Sequence, residues 1–323
     1  MDAILKELPE NSNFECSFFG GEPLLEYKKM FSIIDNLEQQ FPKINFSYSI
    51  TTNATLINEE IIKKSIDKKI DYHVSIDGSK EVHDNKRKFS KSGSWNLVLP
   101  RVEMLISNGI AVTAEFTMEP NYLYDITQHL ENLKKIGIKK ISLKTNHYSK
   151  FDDELKDNKD LHNCFAQWYI SNFKNIRIVQ IDKILKRIDN VNNKIENVSF
   201  CNAGDSTLTI STDGKIYPCH ACPSFSNHEK FGSSKPFDLN HKLFNILSKE
   251  KPEVCIDCEI KNLCFGTCIF INKETNNDFL TISSDRCKYL KFLVNTSHKI
   301  YESLKEDTFF KKLMSELQSS HFI

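Results

Sequence analysis

The stretch INFSYSITTNATLINEEIIKKSIDKKIDYHVSI, Ile44 to Ile76, decides the fold. Ile44 to Thr51 has the texture of a strand, Asn58 to Lys68 that of an amphipathic helix, and Ile70 to Ile76 that of a second strand. Strand, helix and strand in direct succession call for a parallel sheet with helices outside it. The alternation extends both ways. Upstream, Phe14 to Phe19 predicts a strand and Leu24 to Phe41 a helix. Downstream, a polar loop is followed by a helix over Ser94 to Ser107, a strand over Ile110 to Thr117, a helix over Leu123 to Lys135 and a strand over Ile138 to Leu143. No Gly-rich dinucleotide turn appears, which favours a full or partial (β/α) barrel of the TIM type over a doubly wound sheet. Asp2 to Leu8 reads as one short helix. A barrel of this type begins with a strand, so the reading expects one element to be missing ahead of it.

A chain of 323 residues can bury one large core or two smaller ones. Lys plus Arg and Asp plus Glu each number 43, so overall charge points to neither nucleic acid nor a membrane surface as partner. The apolar runs are too short to span a bilayer. The opening MDAILKELPENSN has neither a basic n-region nor a long apolar stretch, so no secretory signal is read there. That predicts a cytoplasmic, reducing setting in which structural disulfides are not expected.

Seven of the ten cysteines fall into one arrangement: C-x12-G-x4-C (Cys201, Gly214, Cys219), then C-x2-C-x5-C-x3-C (Cys255, Cys258, Cys264, Cys268), then Cys287. A C-x2-C pair puts two thiolates on a tight turn facing one metal. Soft thiolates suit zinc or iron–sulfur clusters. One structural zinc on Cys255, Cys258, Cys264 and Cys268 is the simpler account; seven ligands exceed that need and fit two clusters, one of them short of a protein ligand. Around these cysteines, Thr207 to Ile210 and Lys215 to Tyr217 predict a hairpin. Residues 151–200 are polar with a helical stretch around Leu161 to Phe173. Lys288 to Leu317 predicts one amphipathic helix, whose stripe of Leu290, Leu293, Tyr301, Leu304 and Phe309 is expected to pack onto the barrel.

Two further motifs lie at strand ends, where barrel folds place their chemistry. In FFGGEPLL, Phe18 to Leu25, Gly20 and Gly21 let the backbone approach a ligand closely, Glu22 can accept hydrogen bonds from an ammonium group, and Pro23 opens a helix. In VSIDGSKEVHDNKR, Ser75 can hydrogen-bond a ligand carboxylate and Arg87 can clamp it. The bland alternatives are a Gly-rich turn with a surface glutamate, and an Asp-Gly turn with a solvated basic loop. His73 and His147 sit in no constellation visible in the sequence.

The cysteine framework, with CNAGDSTLTISTDGKIYPC around its first members, resembles the SPASM domain at the C-terminus of many radical S-adenosylmethionine (SAM) enzymes. The resemblance implies one [4Fe–4S] cluster on Cys255, Cys258, Cys264 and Cys287, and a second on Cys201, Cys219 and Cys268. Ser206 and Thr207 stand where some members supply a further cysteine, and Cys222 can substitute for it. FFGGEPLL resembles the motif with which radical SAM enzymes hold the amino group of SAM. VSIDGSKEVHDNKR resembles the SAM-contacting region of sulfatase-maturating enzymes and peptide maturases, implying roles for Ser75, Asp77 and Arg87. ITTNATL resembles the family's third strand and adds Asn53. Sulfatase-maturating members carry an aspartate base after the second auxiliary cysteine; His220 stands there, which turns the reading toward ribosomal-peptide maturases, with His220 as a candidate base.

The family's C-x3-C-x2-C triad, which holds the SAM-cleaving cluster, is not among the 323 residues. The expectation is therefore a truncated gene product, a misassigned start or half of a split protein, incompetent alone. Four segments are expected: a (β/α) barrel over 1–150, a helical bridge over 151–200, a SPASM domain over 201–290 and a C-terminal helix over 291–323. The implied activity is radical hydrogen abstraction from a precursor peptide or protein, leading to a cross-link, with SAM and two auxiliary [4Fe–4S] clusters as cofactors. The implied electron donor is a flavodoxin or ferredoxin. The alternative is a non-catalytic iron–sulfur or zinc module that escorts a precursor peptide.

Overall fold

The computed structural model describes residues 2–146, 148–195, 203–204, 206–224, 232–234, 237–239, 252–264 and 268–319. They divide into two compact units. The first comprises Met1–Met118, Asp125–Lys144 and Asn175–Ile178; the second comprises Glu119–Tyr124, Thr145–Lys174 and Val179–Ile323.

The first unit is built on strands β1 (Asn13–Phe18), β2 (Asn45–Thr52), β3 (Ile70–Val74), β6 (Val112–Met118), β7 (Lys140–Thr145) and β8 (Arg177–Ile178), in that order across one sheet. Strands β4 (Lys88–Phe89) and β5 (Ser92–Gly93) form a separate hairpin. The helices joining the sheet strands are α2 (Tyr27–Gln40), α3 (Glu59–Asp67), α4 (Lys80–Lys86), α5 (Trp95–Ser107) and α7 (Ile126–Lys135). Neighbouring strands run parallel: Phe18 stands opposite Ile50, Ile50 opposite Tyr72, and Val74 opposite Ala114. A partial barrel sheet is thus present, as the alternation predicts.

Side chains alternate across the pleat. Ile50, Tyr72, Val74, Ala114 and Phe116 form the buried apolar face. Tyr72 reaches Ser65 of α3 at 2.7 Å, which marks this as the helix-covered side. Ser17, Ser49, His73, Glu115 and Thr117 occupy the other face, which is polar. The connection after β3, expected as a polar loop, contains α4. Ser79 caps it by accepting from the Val82 amide.

The second unit is built on α8 (Lys159–Asn172), α9 (Val179–Asn192), α12 (Ser284–Leu304) and α13 (Thr308–Ser319), with shorter helices α6 (Pro120–Leu123), α10 (Glu253–Ile256) and α11 (Ile269–Asn276). Phe292 of α12 stacks on Phe165 and His162 of α8, and His162 Nδ1 meets Thr296 Oγ1 at 2.8 Å. The apolar stripe of α12 thus packs on α8 and α9 within this unit. The single helix expected over Lys288 to Leu317 is two helices. Asp307 accepts from the Phe310 amide at 3.0 Å and starts α13, and the turn lays Phe310 against Tyr301 and Phe173. Strands β9 (Thr209–Ile210), β10 (Lys215–Tyr217), β11 (Gly232–Ser234) and β12 (Phe237–Leu239) form an antiparallel sheet beside the cysteines, with Gly214 at φ +83° in the first turn. Among the described residues no helix is long and apolar enough to cross a membrane.

Candidate functional site

Glu22 lies just beyond the C-terminal end of β1 and caps the turn Pro23–Glu26 by accepting from the Leu24 amide at 3.1 Å. The same oxygen, Oε1, accepts from Thr52 at 2.6 Å, and Oε2 accepts from the Asn53 amide at 2.9 Å. An ionised carboxylate has about four acceptor sites, so Oε2 keeps one for a ligand N–H. Gly20 holds φ +112°, and a Cβ at Gly20 or Gly21 would meet nothing within 4 Å. The backbone here is therefore open to a close ligand. Asn53 is exposed, and its Oδ1 accepts from the Thr55 amide and hydroxyl at 2.9 and 2.7 Å. Its backbone rather than its side chain faces Glu22.

The segment after β3 is wired by a buried ion pair. Asp77 is 0% exposed. Arg87 donates from Nε to Asp77 Oδ2 at 2.7 Å and from Nη2 to Oδ1 at 3.3 Å, and the Thr117 amide donates to Oδ1 at 2.9 Å. Arg87 Nη2 also reaches the Glu115 carbonyl at 3.2 Å. This corrects the expectation for Asp77: sealed off and already satisfied, it holds Arg87 rather than touching a ligand. Arg87 likewise spends most of its fork on the protein and leaves Nη1 for a ligand carboxylate. Ser75 is partly exposed at the same strand end, anchored by its amide to the Thr52 carbonyl at 2.9 Å. Gly78 has a steric reason to be glycine, since a Cβ there would stand 2.3 Å from Cβ of His129.

His83 locks this segment. Its Nδ1 accepts from the Asp77 amide at 3.3 Å, which leaves Nε2–H to donate to Ser94 Oγ at 2.8 Å. Burial pushes its imidazole down to about 4. The fold thus disfavours the protonated form, while the unfolded chain takes up the proton near pH 6.5. Stability from this residue is full above about pH 6.5 and is lost as pH falls toward 4, by on the order of 3 kcal/mol. His83→Gln should flatten the fall of the urea midpoint between these pH values; an unchanged slope would refute this account.

On the polar face of the sheet a cluster appears that the sequence reading missed. His73 Nδ1 lies 2.8 Å from Glu115 Oε1, and Lys144 Nζ lies 2.7 Å from Glu115 Oε2. Burial opposes the charge on Glu115, but His73 and Lys144 outweigh it and hold the carboxyl down at about 2. An acid in the middle of the apolar run AVTAEFTM, in step with Thr113 and Thr117, was the available signal.

The cysteines of the second unit form two groups. Cys219 and Cys222 close a turn, with Sγ atoms 3.4 Å apart. Cys222 is 1% exposed and packs with Ala203, Tyr217 and Phe270, against Cys219, Cys268, Leu208 and Phe279. The hydrogen bond from Cys222 pulls the Cys219 thiol down to about 6, and raises that of Cys222. Cys268 is raised by burial and then by the charge of Cys219. In the other group, burial and the charges of Cys255 and Cys258 raise Cys287, which sits in the first turn of α12. Cys264 offers its carbonyl to Arg187 Nη1 at 3.2 Å. Cys201 lies outside the described residues, as does His147. His220 is exposed beside Cys219. Among the described residues no three donors converge closely enough for a single metal ion. Half-buried thiols in two groups, one of them packed among apolar side chains, match the donor chemistry of iron–sulfur clusters.

A family model described as a 4Fe-4S single cluster domain matches residues 1–100. The chain is 25% identical over 298 residues to the cysteine-type anaerobic sulfatase-maturating enzyme of Clostridium perfringens, covering 83% of this chain and 78% of that one. It is 23% identical over 329 residues to the radical SAM cyclopropyl synthase TigE of Paramaledivibacter caminithermalis, covering 91% and 62%. In fold it is similar to anSMEcpe solved with bound AdoMet, with a TM-score of 0.77 at 19% identity over 97% of this chain and 87% of that one. The chain is thus similar to radical SAM enzymes, and its fold is that of a sulfatase-maturating one. Radical SAM proteins are iron–sulfur enzymes that use SAM. In this chain, however, residues 1–100 contain a single cysteine, Cys16. It is 6% exposed on the helix-covered face, and burial holds its thiol up at about 11. Glu22 offers an acceptor and Ser75 and Arg87 offer donors at the strand ends, but residues 1–100 do not fit the three-thiolate cluster that cleaves SAM.

Proposed function

We propose that this protein acts in radical SAM modification of a peptide or protein side chain, supplying the SAM pocket and two auxiliary [4Fe–4S] clusters. The observation that carries the reading is the edge formed by Glu22, Ser75 and the Nη1 side of Arg87 at the ends of β1 and β3. These offer an acceptor for an ammonium group and donors for a carboxylate, the two ends of an amino acid moiety. The names of the relatives agree. One is a sulfatase-maturating enzyme, one a cyclopropyl synthase, and anSMEcpe has also been solved with AdoMet and a Kp18Cys peptide.

Auxiliary clusters, when bound, supply one-electron transfer. The chain's own residues do the rest. Asp77 fixes Arg87, Glu22 orients the ligand ammonium, and the two thiol groups hold their clusters, that of Cys219 and Cys222 among apolar side chains. A peptide is the partner this reading implies, with a small electron-transfer protein as reductant. The single cysteine in residues 1–100 favours a second reading, a non-catalytic module that binds a peptide and keeps the auxiliary clusters.

One experiment separates the two. Reconstituted protein with dithionite and SAM should form no 5′-deoxyadenosine above a no-protein control. The same chain joined to a segment carrying C-x3-C-x2-C should form it, and Glu22→Gln in that longer protein should lower the yield at least tenfold. Continued failure of the longer protein would leave only the module. Formation by the 323-residue chain itself would overturn the proposed division of roles.

A further inference from the structure

Arg286 occupies the first turn of α12, one residue before Cys287. Its Nε is buried and meets no hydrogen-bond partner among the described residues. A guanidinium is charged at all accessible pH, and an orphaned N–H on it costs several-fold more than a neutral one. Such a group requires an acceptor. The thiol of Cys287, next to it in the same helical turn, offers a soft one. Cys268 belongs with Cys219 and Cys222, whereas Cys287 belongs with Cys255 and Cys258. Arg286 is thus a cation beside the group of Cys287. The hydroxyl of Tyr289, one helical turn on, is also buried without a partner among the described residues.

The other cations nearby are already engaged. Arg187 donates to the Cys264 carbonyl, and Lys291 pairs with Glu259 at 3.2 Å. A four-iron cluster carries bridging sulfides as well as thiolates, and hydrogen bonds to its sulfurs raise its potential.

We propose that Arg286 is a positioning residue for the auxiliary clusters: its buried Nε–H donates to a cluster sulfur, and its charge raises the reduction potential. The inference rests on the cysteines being cluster ligands, and iron content tests that separately. The full chain is reconstituted anaerobically, its iron is counted, and its potentials are read by spectroscopic titration. Arg286→Met should keep its iron but shift the oxidised-to-reduced ratio at least tenfold toward the oxidised form, about 59 mV for one electron. Transfer of wild-type protein to D2O should shift its iron–sulfur stretching bands in the resonance Raman spectrum. Arg286→Lys, which keeps the charge but lacks the planar Nε–H, should lose part of that shift. Wild-type potentials in an iron-replete Arg286→Met would overturn the proposal. Should Arg286→Met fail to assemble, the lysine variant decides: a retained wild-type D2O shift overturns the proposal, and a diminished one supports it. Absence of iron from the wild type would instead sink the reading of the cysteines themselves.

Discussion

Replacing Asp77 by Ala is expected to destabilise the parallel-sheet unit by about 3 kcal/mol, among the largest effects of any single change in it. Asp77 is 0% exposed, and it satisfies Arg87 Nε, Arg87 Nη2 and the Thr117 amide together. Its removal leaves a charge without its partner and a backbone N–H without an acceptor. Breaking a buried pair costs about 3–5 kcal/mol. The lower end applies because the Arg87 side chain is 26% exposed and can recruit water. Asp77→Asn should cost less, since the amide oxygen can still accept from Thr117. In Asp77→Ala with Arg87→Met, the loss should be smaller than the two single losses added, because the uncompensated charge is gone. Hydrogen exchange of the amides in β3 and β6 reads the effect within this unit. A change below about 1 kcal/mol would show that Asp77 does not hold the strand ends together.

Strands β1, β2, β3, β6 and β7 were legible because each is long enough to show its period. The glycine pair, the glutamate and the cysteine spacing were legible because they are local in the sequence. What escaped depends on register. His73 and Glu115 are 42 positions apart, and they meet only because β3 and β6 pair with His73 opposite Thr113. The role of Asp77 escaped for a similar reason, since its partners are on α4's far end and on β6. Strand β8 has two residues and no period to read. The break between α12 and α13 escaped because the stripe reads on through Leu304 to Phe309, whereas the residue that packs is Phe310 and the cap that ends the continuity is the single side chain of Asp307. Arg286 could not have been singled out from the sequence at all. Its standing comes from a buried nitrogen without a partner, which is a property of packing.

Cys287→Ala should remove about four of about eight iron atoms from the reconstituted protein. The count of eight follows from two four-iron clusters. The effect of this one substitution distinguishes them from the single zinc on Cys255, Cys258, Cys264 and Cys268. In a zinc protein Cys287 is a bystander, and its replacement leaves metal content unchanged. In a two-cluster protein Cys287 closes the group of Cys255 and Cys258, whose charges already bear on it. Cys268→Ala sharpens the choice. A lone zinc would be lost with Cys268, taking all the metal with it. With two clusters only the group of Cys219 and Cys222 is opened, so about four iron atoms remain. Cys268 also sits at the N-cap position of α11, and its carbonyl accepts from the Asn272 amide at 2.9 Å. That bond is a backbone one and survives the change to Ala, so the loss of iron reports on the thiol. Because such sites fold with their metal, each variant should also lose protection from protease around its own group alone. Near-stoichiometric zinc in the wild type, with iron absent and Cys287→Ala indistinguishable from it, would reject the two-cluster arrangement.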